Sequence, residues 1–311
     1  MNRFDFIKGA AAVGAMAAVR GVAFGDAERG SVDRDAFQRE IDAITPKTWD
    51  DYYTKGTDAT PDDVTRTCAE FPALGRYEDA FDKVVAEIKS VKVTGRPAVW
   101  LVYNMGVIVK TANSLFAIDL QHRRAEELAP LLDFALITHN HGDHYTQRFY
   151  RAMNNQEHKT VVSNFLDNYG ASRGGGRGGY TRAVKTFSFG DVTVRTTYTD
   201  HNAYLLDFTT AFEISIGNFT IYHSGDCSNA AKLRPTCPNP DLWFFHPYCG
   251  MKPVDGAQVV NPKLAVVAHL NELGHAKDRW RWTWAQGDKA KALLEAAGFN
   301  AVVPLWGDRI A

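Results

Sequence analysis

Phe134-Ala135-Leu136-Ile137-Thr138-His139-Asn140-His141-Gly142-Asp143-His144 carries more information than any other stretch of the chain. Its first four residues are a short continuous apolar run, the pattern of a strand buried on both faces. Three histidines and an aspartate follow directly. Four ionisable groups packed so closely would weaken a core, because each must be desolvated. Side chains leaving a strand end in a loop can instead converge at one point outside the sheet, where ligands usually sit. Imidazole nitrogens and a carboxylate suit Zn²⁺, and also Mn²⁺ or Fe²⁺.

Upstream of this stretch, residues 98–103 and 107–110 read as two strands around Met105-Gly106, and 115–119 as a third. Downstream, strands are predicted at 160–162, 192–197, 212–216, 220–223 and 264–267. Residues 121–129 and 285–297 read as helices, the second closed by Gly298. Strands alternating with helices, with hairpins between some of them, indicate a layered α/β domain. Ahead of residue 96 the character is helical. Residues 33–44 and 77–88 carry apolar positions at helical spacing, and Thr60-Pro61-Asp62-Asp63 is a helix start, with a capping hydroxyl, proline in the first turn and acids beside it. Trp49, Tyr52 and Tyr53 are expected between these helices, packed on the main domain. The expected organisation is an export signal over 1–25, a helical N-terminal extension over 26–95 and the main domain over 96–311.

The H-x-H-x-D-H pattern at 139–144 resembles that of the metallo-β-lactamase superfamily. The resemblance covers roughly residues 96–311 and implies an αββα sandwich with two metal sites. It implies that His139 and His141 bind the first metal and that Asp143 and His144 bind the second. Three later positions match the rest of the pattern. His201, in Thr199-Asp200-His201-Asn202, would complete the first site. Asp226, in Ser224-Gly225-Asp226, would bridge the metals. His269, after the strand at 264–267, would complete the second site, with His275 as its rival and otherwise a hydrogen-bond neighbour of the ligands or a substrate contact. His246 either lines the pocket or is a satisfied structural histidine, the latter reading weighing more. His122, His158 and His223 read as structural. Asp119 and Asp200 are the candidates for outer hydrogen-bond partners of the ligand histidines.

The implied chemistry is hydrolysis of a lactone, carboxylic ester or phosphodiester by a hydroxide shared between two divalent metal ions, expected to be Zn²⁺. Asp143 would also orient that hydroxide, as the catalytic carboxylate. The alternative from another class is a non-catalytic, metal-stabilised binding protein. A β-lactamase or a nuclease of the same fold carries less weight. The formal net charge of −1 and the absence of a basic stripe argue against nucleic acid as a partner and leave a small-molecule substrate. The oligomeric state is open.

The 311 residues, 45% hydrophobic and 23% charged, suffice for a sizeable core. Four cysteines without close pairing do not make a disulfide scaffold. All four are expected as buried small side chains, Cys227 in the core or just behind the metal ligands, with a Cys237–Cys249 pair open if the protein is exported. Arg3 and Lys8 precede a small, apolar run over 9–19 that is too short to span a bilayer, and Gly21-Val22-Ala23 suits cleavage. The start resembles a twin-arginine export signal with Phe4 in place of the second arginine. Periplasmic export without a stable membrane anchor is expected, a cytoplasmic location being the alternative. Residues 170–179 (GASRGGGRGG) form a flexible basic segment. It is either a lid whose Arg173 and Arg177 meet an anionic substrate or a plain surface connector, the second reading carrying more weight.

Overall fold

The computed structural model describes residues 32–53, 59–157, 159–165 and 183–311. One sheet comprises β1 (Ala98–Tyr103), β2 (Gly106–Lys110), β3 (Leu115–Ile118), β4 (Phe134–Leu136), β5 (Thr160–Val162) and β13 (Asp308–Arg309), in the order β13-β1-β2-β3-β4-β5. The other comprises β6 (Thr186–Phe189), β7 (Val192–Thr199), β8 (Thr209–Ile216), β9 (Phe219–His223), β10 (Leu242–Phe245), β11 (Leu264–Val267) and β12 (Ala301–Val302), in the order β12-β11-β10-β9-β8-β7-β6. Strands β3, β4 and β5 run parallel to one another, as do β9 to β12.

Side-chain alternation along the strands builds two cores. Val99, Leu101, Val107 and Val109 meet Val194, Ile214, Ile221 and Phe244 between the sheets. Ala98, Trp100, Val102 and Ile108 point the other way and join the helices. Four helices precede the first strand: α1 (Arg34–Asp42), α2 (Pro46–Tyr53), α3 (Pro61–Glu70) and α4 (Pro72–Ser90). Helix α4 lies on β1, where Trp100 Nε1 donates to Glu87 Oε2 at 2.6 Å. Lys110 Nζ donates to the carbonyls of Ile88 and Val91 at the end of that helix. On the second sheet α6 (Pro253–Val260) sits directly on Trp243, and a Cβ at Gly256 would come within 2.7 Å of that indole. Helices α5 (Gln147–Asn154) and α7 (Trp284–Ala296) complete the outer layers. The result is the expected αββα sandwich.

Three local expectations are corrected. Trp49, Tyr52 and Tyr53 do not lie between helices, because they form α2 itself. Thr45 Oγ1 caps this helix by accepting the Thr48 N–H at 3.0 Å ahead of Pro46, and Trp49 packs edge-on to Tyr77 and parallel to Tyr103. Residues 121–129 form only one 3₁₀ turn, Ala125–Leu128. Gln121 is committed to the carbonyl of Gly142, and His122 is stacked on Tyr77 and Phe81, which removes both from any helix. Strands β6, β12 and β13 were not anticipated, and the last two span two residues each, too few to show a period. The export signal falls outside the described residues, as do His158, Arg173, Arg177 and the glycine-rich segment. Among the described residues no helix is long and apolar enough to cross a membrane.

The N-terminal helices share the core of the sandwich. Phe37 packs against Trp284 and Trp306. Arg281, 3% exposed, donates to the carbonyls of Ile41 and Ile44 and to those of Glu272 and Leu273. One guanidinium thereby ties the end of α1 to the loop that follows β11. Arg281→Ala is expected to cost about 2 kcal/mol in urea unfolding, since orphaned buried carbonyls each carry a desolvation penalty. An unchanged midpoint would show that water replaces those contacts.

Candidate metal centre

The seven residues expected as metal ligands all leave the C-terminal ends of strands on one edge of the sandwich. His139, His141, Asp143 and His144 follow β4, His201 follows β7, Asp226 follows β9 and His269 follows β11. Donor atoms of His139, His141 and His201 lie within 4.8 Å of one another, and so do those of Asp143, His144, Asp226 and His269. Asp226 stands between the two groups. Its Oδ2 is 3.5 Å from His201 Nε2 and 3.5 Å from His269 Nε2, and its Oδ1 is 3.3 Å from His144 Nε2. Asp143 Oδ2 is 2.9 Å from His269 Nε2.

The outer faces of these histidines are held by the fold. Asp119 is wholly buried and its Oδ2 pairs with His144 Nδ1 at 2.8 Å. The same carboxylate accepts the Thr138 N–H and hydroxyl, both at 2.7 Å. Thr138 Oγ1 in turn lies 3.0 Å from His139 Nδ1. Thus one carboxylate aims the Nε2 atoms of two histidines at the centre. Asp200, the other candidate partner, does not touch a ligand histidine. Its carboxylate binds the Asp207 N–H, Asn229 and Lys232, and its carbonyl accepts from Ser228, so it braces the loop behind Asp226.

Two backbone features place the later ligands. Gly225 has φ +52°, and a Cβ there would lie 2.7 Å from the Thr209 methyl and 2.9 Å from Thr138 Cβ, so only glycine lets Asp226 approach the first loop. His269 itself has φ +57°, an uncommon conformation for a residue with a side chain. It is held there by its N–H, which donates to the carbonyl of Asn104. The Asn104 side chain also donates to the Asp143 carbonyl at 3.1 Å. The tip of the β1–β2 hairpin therefore supports two members of the same donor group, Asp143 and His269. Nothing in the sequence around Asn104 signals this, because the contact joins positions remote along the chain.

The electrostatics divide the histidines: burial opposes the charge on His144 and His269, but Asp226 and its neighbouring carboxylates hold both above the usual histidine range, so each would release a proton on binding a cation. Burial, followed by the neighbouring His144, pushes His139 well below the usual histidine range, and burial with His201 pushes His141 down. Both rings are thus kept neutral, with a lone pair to share. Burial opposes ionisation of Asp226, but His269 and His144 overcome it and hold that carboxyl well below its ordinary value. His139 Nε2 is buried without a hydrogen-bond partner, and His144 Nε2 has only Asp226 Oδ1, 3.3 Å away. Orphaned polar atoms of this kind are rare unless a ligand takes their lone pairs. The donor set, imidazole and carboxylate only, fits divalent zinc, manganese or iron.

A pocket of about 420 Å³ opens over the centre, lined by Asp143, Asp226, His269 and further side chains that include His246, Cys249 and His275. His246 is part of this wall, its ring stacked on His269 at 3.9 Å. His275 lies outside both donor groups and reaches the pocket from a loop pinned by Glu272, whose Oε2 accepts the His275 N–H at 2.7 Å. His275→Ala is therefore expected to leave the metal content per chain unchanged in elemental analysis, whereas loss of one equivalent would exchange the roles of His269 and His275. Cys249 departs from the expectation of a buried core thiol, since it also lines the pocket. Its Sγ lies 3.1 Å from the Asp226 carbonyl and can share a donor group with His201 and Asp226. Cys227 is buried and donates to the Asn229 carbonyl. All four cysteines are free. A second cleft, of about 450 Å³, shares Asp143 and His275 with the first and is walled by Trp49 and Tyr53, so α2 borders the centre.

No protein-family profile matches the chain, and no curated protein is significantly similar to it. Solved structures do match. The metallo-β-lactamase fold protein YhfI from Bacillus subtilis superposes over 69% of this chain and 99% of its own, with a TM-score of 0.50 at 15% identity. This chain has the metallo-β-lactamase fold. Two further solved structures match at the same TM-score. The isothiocyanate hydrolase from Delia radicum gut bacteria covers 69% of this chain and 98% of its own, with a TM-score of 0.50 at 17% identity. The diiron β-hydroxylase CmlA from Streptomyces venezuelae matches over 79% of this chain and 59% of its own, with a TM-score of 0.50 at 14% identity. Within the metallo-β-lactamase fold the candidate centre occupies the edge where the loops after β4, β7, β9 and β11 meet.

Proposed function

We propose that this protein is a hydrolase dependent on two divalent metal ions, acting on a lactone, carboxylic ester or phosphodiester. The observation that carries the reading is the convergence of seven donor side chains into two groups that meet at Asp226. His139, His141 and His201 would hold one ion, and Asp143, His144 and His269 the other, with Asp226 shared. Bound there, such ions supply Lewis acidity toward a water molecule and toward the scissile carbonyl or phosphoryl oxygen. The chain's own residues do the rest. Asp119 and Thr138 fix the rings of His144 and His139 so that no reorganisation is needed during turnover. Asp143 lines the pocket and orients the attacking water. His275 and His246 stand in the pocket wall, within reach of a substrate held over the centre.

The test is a screen of zinc- and manganese-loaded protein against lactones, carboxylic esters, phosphodiesters and nitrocefin, with chelator-stripped protein as control. Metal-dependent turnover of one ester class is expected. Tight metal retention with no turnover of any class would replace this reading with the non-catalytic binding protein.

A further inference from the structure

The pocket over the centre has an aromatic wall that the metal sites do not require. Tyr248, Trp280 and Trp282 line it together with His246 and His275, and no lysine or arginine among the described residues does. The Tyr248 and Trp282 rings stack at 4.7 Å, 27° from parallel. Tyr248 is fixed by its hydroxyl, which donates to the Gln286 carbonyl at 2.7 Å. Trp282 is fixed by its carbonyl, which accepts from the Asn271 N–H at 2.6 Å. Trp280 is 56% exposed and has φ +69°, which is uncommon and costly for so bulky a residue. A backbone bridge to Ala276 and the Arg279 guanidinium, 4.1 Å from the ring centroid, hold it in place. Strain at a non-glycine residue persists only where the surroundings enforce it. Here the strained residue presents a large apolar surface to water at the mouth of a pocket.

We propose that this wall is a ring-binding subsite, so that the substrate is a carboxylic ester or lactone with a planar aromatic group close to its scissile bond. The inference rests on the reading of the centre as an ester hydrolase. The ring stacks on Trp280 and on the Tyr248–Trp282 pair while the carbonyl lies over the donor groups. Flat π-faces favour a planar ring over a saturated ring of equal size, because offset stacking adds to the gain from buried area. No lysine or arginine lines the pocket among the described residues, so nothing there asks for an anionic substituent on that ring. At about 420 Å³ the pocket accommodates a substrate of small-molecule size.

The experiment compares methyl phenylacetate with methyl cyclohexylacetate, and benzyl acetate with cyclohexylmethyl acetate, on zinc-loaded protein. A methylene separates the ring from the ester in each, so the carbonyls are of similar intrinsic reactivity. In at least one pair kcat/KM is expected to favour the aromatic ester by about tenfold, mostly through KM, as stacking of this kind predicts. Trp280→Ala should abolish the preference and Trp280→Phe should restore most of it. In parallel, 2-(4-nitrophenyl)acetamide should quench the tryptophan fluorescence of metal-free wild-type protein in a saturable way, and do so more weakly in Trp280→Ala. Turnover of both members of each pair without an aromatic preference, or a preference untouched by Trp280→Ala, overturns the subsite and leaves the hydrolase reading intact. Saturable quenching without cleavage of any ester supports the subsite and removes the ester hydrolase. Neither quenching nor cleavage overturns both.

Discussion

Asp226→Ala is expected to lower kcat/KM on the order of 10³-fold and to reduce bound metal from about two ions per chain to about one. Loss of outer hydrogen-bond partners already costs 10–100-fold in metal affinity or activity, and a side chain shared by both sites must cost more. The geometry explains why no neighbour can stand in. Asp226 is the carboxylate that approaches histidines of both donor groups, with His201, His144 and His269 all within 3.5 Å of its oxygens. It reaches that position only because Gly225 passes between Thr209 and Thr138. Cys249 is the nearest soft donor, but its Sγ faces the carbonyls of His201 and Asp226. Elemental analysis alongside kinetics separates the two effects. Retention of two ions together with wild-type activity would remove Asp226 from the centre.

Asp119→Ala is expected to weaken metal binding and activity together by about 100-fold, the upper end of what outer-partner changes cost. The variant should also be less stable than wild type by about 3 kcal/mol, since three buried donors lose their acceptor at once. Those donors are the Thr138 N–H, the Thr138 hydroxyl and His144 Nδ1, all within 2.8 Å of the carboxylate. The carboxylate enforces one tautomer of His144, with Nδ1 protonated and Nε2 free for a ligand. Asp119→Asn preserves the shape but brings an amide donor towards donors, so it should recover little. The readouts are metal titration with a competing chelator and the urea midpoint. A variant that binds metal as wild type does would show that the turn after β4 is rigid without Asp119.

Much of this centre was legible before any coordinates. Histidines and an aspartate placed directly after a buried strand leave few structural explanations, because four ionisable groups at one strand end have no other means of satisfaction. The later positions, His201, Asp226 and His269, were legible only through the resemblance of the first cluster to the family pattern, each following a run of strand-forming residues. Capping chemistry likewise announced α3, where Thr60 and Asp63 close a reciprocal box. What escaped sequence reading has a common cause. Asn104 supports Asp143 and His269 from positions 39 and more than 160 residues away along the chain, a contact that no local pattern encodes. Cys249 and His246 look like core residues until the loops after β9 and β10 are folded against one another. The residues after Asp119 obey tertiary partners, since His122 is stacked between Tyr77 and Phe81.

The amino-acid order alone therefore determined most of the strands, the layered class and the candidate donor residues, since these depend on local period and on the high cost of burying charge. Which histidine stands within the second donor group, which acid pairs with the rings and which aromatics face the pocket depend on strand ends 130 residues apart meeting at one edge. Donor chemistry is a property of side chains, whereas their aim depends on backbone turns at Asp119, Gly225 and His269 that only the packed sandwich can enforce.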